Sequence, residues 1–186
     1  MNKIVSIFAL FISFISQCYA TENVEFPPVA FINYCIIHSD LKGICKETNQ
    51  PGIKLSINDS LIDDTNRFFN KNIMPKNDEY GEDEWTLFSI DDKKPMWQGD
   101  CEDYALSKKN FLLSKGYDEK FLHFLILKTQ GIYHTVLVVD TLDGPYILNN
   151  LSNIMIKFEI ENNKVKGTNY KIHAFEKSLN NWVSYE

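Results

Sequence analysis

The chain has 186 residues, of which 44% are hydrophobic, 13% aromatic and 24% charged, with 8 Gly and 6 Pro. That composition fills the core of one ordinary domain and argues against disorder, collagen or a mini-protein held mainly by disulfides. Formal net charge is −6 and no basic run is long enough to follow a phosphate backbone, which argues against a nucleic-acid partner.

Residues 1–20 read as a secretory signal peptide. Lys3 supplies the positive start, and Ile4 to Ile15 is apolar apart from Ser6 and Ser13. Cys18 and Ala20 then provide small residues at −3 and −1 of a cut after Ala20. The apolar run is too short to span a bilayer comfortably. A lipid anchor on Cys18 fits badly, because Gln17 stands where a small residue is needed. Removing residues 1–20 leaves 18 basic against 25 acidic residues, a net −7, in an exported acidic domain spanning 21–186.

Residues 21–30 form a Pro-containing lead-in, and Val29 to His38 is apolar enough for a short helix. Lys46 to Lys54 reads as a loop through Asn49, Pro51 and Gly52. Ile57, Leu61, Phe68, Phe69 and Ile73 recur at helical spacing, and Pro75 to Glu84 is a polar, acidic surface loop. The spacing predicts a clearer helix from Cys101 to Lys115, with Asp100 at its N-cap and Gly116 at its C-terminal stop. Strand-like runs follow at 121–128, 132–140, 146–148, 154–160 and 170–175, separated by turns at Gln130-Gly131, Asp143-Gly144-Pro145 and Asn162-Asn163. Helices first and an antiparallel meander afterwards is an α+β pattern.

Export changes the meaning of the cysteines. Cys18 leaves with the signal, and in an oxidising compartment Cys35 and Cys45 are candidates for a disulfide across a short turn region. Cys101 is then an unpaired thiol. A buried inert cysteine, or a bridge from Cys101 to one of the other two, stays open at this point.

The residues around Cys101 carry chemistry. A cysteine attacks as its thiolate, and the first turn of a helix, where Cys101 sits, lowers a thiol pKa through free backbone N–H groups. His134 opens the apolar run Thr135 to Val139, and Asn149 follows Tyr146-Ile147-Leu148 one hairpin later. A base and an orienting amide at successive strand ends complete a Cys-His-Asn set. The neighbouring Asp100, Glu102 and Asp103 oppose this, because like charge raises a thiol pKa. Either Asp100 and Asp103 form a capping-box-like pair with Glu102 solvated, or these acids ligate a hard cation such as Ca²⁺.

The run Gly99-Asp100-Cys101-Glu102-Asp103-Tyr104-Ala105, with His134-Thr135-Val136-Leu137 and Tyr146 to Leu151 after it, resembles the bacterial transglutaminase-like cysteine proteinases. The likeness extends upstream to Asn66-Arg67, Asn70 to Pro75 and Asp83-Glu84-Trp85, and covers roughly residues 30–155. It implies a papain-like, transglutaminase-like α+β core with the nucleophile at the N-terminus of a helix packed on an antiparallel sheet. It implies Cys101 as nucleophile, His134 as general base, and a Ca²⁺ site using Asp100 and Glu102, with Asp103 as a third candidate. It further implies a periplasmic protease of the kind that clips the N-terminal region of a large surface adhesin near small residues such as paired Ala, controlling biofilm attachment. An inner-membrane receptor that senses cyclic di-GMP would restrain it. One position departs from the family, which usually has Asp where this chain has Asn149. An Asn still orients a histidine but supplies no charge to an imidazolium. A transamidase or amidase with the same triad, and a catalytically weakened calcium-stabilised binding module, are the alternatives.

Other residues read as structural. Trp85 and Trp97 are expected in packing more than in a groove, and Asp83 as one acid of a solvated run from Asp78 to Glu84 more than as a distant calcium ligand. Gln98 is a weak candidate for an oxyanion donor beside the Cys101 N–H. His38 and His123 are expected to be structural, and His173 has no evident partner.

Overall fold

The longest apolar runs bury both of their faces. The computed structural model describes residues 23–48, 51–79, 83–92, 96–179 and 181–185; the expected signal segment lies outside them. In chain order the elements are β1 (Asn23–Glu25), α1 (Val29–Ile37), α2 (Ser60–Asn72), β2 (Ile73–Pro75), β3 (Trp97–Gly99), α3 (Cys101–Ser114), a short 3₁₀ turn (Glu119–Phe121), β4 (Leu122–Thr129), β5 (Ile132–Thr141), β6 (Gly144–Leu148), β7 (Ile156–Lys157), β8 (Ile160–Glu161), β9 (Lys164–Val165), β10 (Lys171–Ser178) and β11 (Asn181–Ser184). Among the described residues no helix is long and apolar enough to cross a membrane.

The main sheet is antiparallel with spatial order β1-β11-β10-β4-β5-β6-β7, and β8–β9 is a hairpin joined to β10. The expected meander therefore holds only from β4 to β7. β10 pairs with the other edge of β4, and β1 and β11 extend the sheet beyond it. The expected strand 154–160 is instead two short strands, with Phe158 buried between them. A separate parallel pair, β2–β3, joins the end of α2 to the start of α3.

β4 is central, so it reads as a continuous apolar run. Phe124 and Ile126 point to one side, onto Ala105, Leu106 and Leu112 of α3 and Phe31 of α1. Leu125 and Leu127 point to the other, with Val136, Val138, Phe158, Val165 and Val183. α3 runs through the middle of the protein, and every residue from Glu102 to Lys109 is buried. Gly116 ends it in the left-handed region at φ +86°, a conformation glycine adopts without a Cβ clash.

α1 matches its expectation. Cys35, on its last turn, is bonded to Cys45, while Cys101 is free. Reducing the Cys35–Cys45 bridge, which closes a loop of sequence separation 10, is expected to lower unfolding free energy by about 2–3 kcal/mol on chain-entropy grounds. Urea unfolding with and without reductant measures it, and unchanged midpoints would refute the assignment.

Candidate active site

α3 begins at Cys101 because Asp100 is extended (φ −110°, ψ −159°) and the first turn is held by its own acids. Asp103 Oδ2 accepts the Asp100 N–H at 3.2 Å, the acidic half of a capping box, and Asp103 Oδ1 accepts the Thr86 N–H at 2.5 Å. A Cβ on Gly99 would collide with that carboxylate. The close approach at this glycine is thus made by Asp103 itself.

The thiol lies at the free edge of β5. β6 pairs with β5 only as far as Leu137, so the Thr135 N–H has no strand partner on that side. It donates instead to Cys101 Sγ at 3.2 Å, while the thiol donates to Glu102 Oε2 at 3.2 Å. Burial, the Glu102 charge and the Asp100 charge push the thiol up to about 12, against the pull of the Thr135 N–H. The thiol's own hydrogen bonds are to these two groups and not to His134.

His134 is buried behind Thr135 and bonded through Nε2 to Asn149 Oδ1 at 3.0 Å. That same Oδ1 accepts the Leu151 N–H at 2.9 Å, so it is an oxygen and Nε2 must carry the proton. Nδ1 is then left with a lone pair, the state a general base needs. Burial lowers the imidazole pKa, and so does the charge of Lys108, while the Asn149 bond raises it. The Asn149 backbone is held in turn by α2, whose Asn70 Nδ2 donates to Asn149 O at 2.9 Å.

A cleft of about 580 Å³ opens over Cys101. Phe26, Pro27, Pro28 and Val29 form one wall, Tyr133, His173, Ala174 and Ile126 another, with Trp85, Thr135 and the acids Asp83, Asp100 and Glu102 completing it. Trp85 is both core and cleft wall, packed on Phe31 and Phe124. His173, which sequence reasoning left without a partner, lies against Tyr133 at 4.8 Å between rings. His134 and Asn149 are not part of this lining.

The other candidate residues divide between core, surface and the acidic cluster. Gln98 lies on β3 and faces a different hollow with Lys76, Thr86 and Asp103, so it does not reach the thiol. Trp97 stacks between Phe69 and Phe88 and is core. His123 is buried near Asp140 at 3.5 Å, the exposed His38 has its ring 4.4 Å from that of Tyr34, and neither lines the cleft over Cys101. Asp83 is not simply one acid of a solvated run. Asp78, Asp83 and Glu102 bring ligand oxygens within 4.8 Å of one another. Asp100 belongs to the same neighbourhood, and burial together with Asp100 pushes Glu102 up to about 10. Asp103 is turned away from it, both oxygens being taken by backbone N–H groups; burial pushes it up to about 7. Asp78 was missed because an acid in an acidic loop has no distinguishing local signal.

A cysteine at a helix N-terminus against an antiparallel sheet, beside a buried His–Asn pair, is the architecture of a papain-like or transglutaminase-like cysteine hydrolase. The chain belongs to the bacterial transglutaminase-like cysteine proteinase family, BTLCP, whose model matches residues 21–185. Among solved structures it is similar to LapG of Legionella pneumophila, at 23% identity over 67% of this chain and 67% of that one, with a TM-score of 0.52. Calcium-bound LapG aligns at 23% identity over 62% and 63% of the two chains with a TM-score of 0.49. EGTA-treated LapG aligns at 24% over 62% and 61%, also at 0.49. The chain thus spans somewhat under two thirds of the length of these last two. No curated protein matches the sequence.

Proposed function

We propose that the protein is an exported, calcium-dependent cysteine endopeptidase that cuts the N-terminal region of a large surface adhesin near small residues such as paired Ala. The observation that carries the catalytic part is the contact of Thr135 N with Cys101 Sγ at 3.2 Å, next to a histidine whose Nε2 is committed to Asn149. Cys101 attacks the peptide carbonyl, His134 Nδ1 takes the thiol proton and returns it to the leaving amine, and Asn149 holds the ring. The Cys101 backbone N–H, free at the helix start, faces the developing oxyanion. Burial and the flanking acids raise the thiol pKa, so Cys101 depends on His134 to take its proton.

The donor set supports a resident Ca²⁺. Asp78, Asp83 and Glu102 supply convergent carboxylate oxygens, and Asp100 Oδ1 is buried without a hydrogen-bond partner among the described residues. Hard oxygen ligands from several carboxylates suit Ca²⁺. These four acids, and not Asp103, would hold it, and the bound ion would cancel the repulsion that holds the thiol up. Export through residues 1–20 into the periplasm is supported by the Cys35–Cys45 disulfide. Restraint by a cyclic di-GMP-sensing inner-membrane receptor rests on the family likeness and completes the proposal.

Cleavage of an N-terminal adhesin fragment with and without EGTA tests it. EGTA is expected to suppress cleavage at least about ten-fold, with recovery on adding Ca²⁺ and not Mg²⁺. Undiminished cleavage in excess chelator would refute the calcium part. Asn149→Asp is expected to match or exceed wild-type kcat/KM, since a carboxylate keeps both N–H contacts and stabilises the imidazolium. A ten-fold or larger fall in that assay, by contrast, would mean that Asn149 acts otherwise.

A further inference from the structure

We propose that Lys108 and Asn66 are positioning residues for the reaction, fixing from the core the loop that presents Asn149 to His134. The proposal rests on the cysteine-protease reading above. Lys108 lies two turns past Cys101 on α3 and is fully buried, a state rare for lysine without a paired acid. Its hydrogen bond is to Asn66 Oδ1 of α2, at 2.8 Å. Asn66, itself fully buried, uses its other arm to donate to Ser152 O at 3.2 Å. Asn70, one turn on, donates to Ser152 O at 3.2 Å and to Asn149 O at 2.9 Å. The line Lys108–Asn66–Ser152–Asn70–Asn149 thus ends on the residue whose Oδ1 holds His134 Nε2. Loops alone position a side chain poorly, and an error of about 1 Å at a reacting group costs on the order of 10²-fold in rate.

The lysine also acts through charge. The buried face of α2 presents Ile62, Thr65, Asn66 and Phe69, and the 149–153 loop is Asn, Asn, Leu, Ser and Asn, so neither brings an acid to it. On its own helix the neighbour is the Tyr104 ring at 5.8 Å. Among the described residues, the titratable groups that act on or face His134 are Lys108 of α3, through its charge, and Tyr170, whose ring is 6.4 Å away. Burial pushes Lys108 down to about 7, and its charge lowers His134. The two cannot both be protonated cheaply, so a protonated Lys108 lowers the pKa of the imidazole. Removing Lys108 removes a cause that lowers His134, and the imidazole must then protonate at higher pH.

Two variants of the full chain, Lys108→Met and Asn66→Ala, test this against wild type and Cys101→Ala. Met fills the lysine's volume without its charge. Each variant is read by circular dichroism, by kcat and KM on the adhesin fragment, and by imidazole NMR titration of His134, which needs no turnover. The expected result for a folded variant is a kcat at least about ten-fold lower with KM little changed. For Lys108→Met the His134 titration and the acid limb of kcat/KM are expected to move up by about half a pH unit or more. Wild-type kcat together with an unmoved His134 titration in folded Lys108→Met would overturn the proposal. If that variant does not fold, the kcat–KM split in Asn66→Ala decides, and wild-type kcat there overturns it. Full activity in Cys101→Ala would instead sink the protease reading, so the two failures are distinct.

Discussion

Cys101→Ala is expected to abolish cleavage, with a fall in kcat on the order of 10⁴-fold or more, and His134→Ala to fall nearly as far. The two losses should not add: the double variant should be no worse than Cys101→Ala. In the proposed mechanism the thiol and the imidazole work as one unit. Burial and the flanking acids push Cys101 up to about 12, so it is a poor nucleophile unless a neutral base takes its proton. Burial and the Lys108 charge lower the pKa of His134, and its Nε2 proton faces Asn149. Single-turnover kinetics on the adhesin fragment measure each loss, and activity retained in Cys101→Ala would end the mechanism. If purified protein joined amines to the substrate but did not cut it, the transamidase alternative would replace hydrolysis.

The largest expected effect on stability lies at Lys109, the next residue after Lys108 and about 100° further round α3. Lys109 Nζ meets Glu176 Oε2 of β10 at 2.7 Å, with both side chains almost completely buried. The same oxygen accepts the Phe124 N–H at 2.9 Å, and the ammonium lies 4.3 Å from the Phe124 ring centroid. The pair pins the central helix to the sheet. Lys109→Met would leave a buried carboxylate without its counter-charge, which costs about 3–5 kcal/mol. Urea denaturation should show that loss, and changing Glu176→Leu in the same chain should restore much of it by removing the stranded charge. A single variant within about 1 kcal/mol of wild type would refute this account of the pair.

The helices were legible where their signals are local. α3 starts at Cys101 and stops at Gly116 because capping and left-handed backbone depend on residues three or four positions apart. The Cys35–Cys45 bridge was legible for the same reason, as a short loop between cysteines in an exported chain. β4 and β5 stood out because strands buried on both faces are apolar throughout. The order of the sheet was not legible. Nothing in residues 171–184 says that β10 crosses to the far edge of β4, and β1 was hidden in a Pro-containing lead-in.

At the site, the sequence by itself determined the candidates for chemistry: Cys101 at a helix start, His134 at a strand head, Asn149 at a strand end, and acids crowding the thiol. Only the tertiary structure decided which acids converge. Asp103 is drawn off to cap the helix and hold Thr86, while Asp78 and Asp83 reach Glu102 across a loop closure that no local pattern encodes. It also decided that Lys108 is a core residue. A helix buried all round carries no apolar stripe, so its lysines look like any solvated pair until the helix is seen enclosed by α2 and the sheet. Side-chain chemistry is written residue by residue, but burial and the pKa changes that follow from it are set by what folds over them.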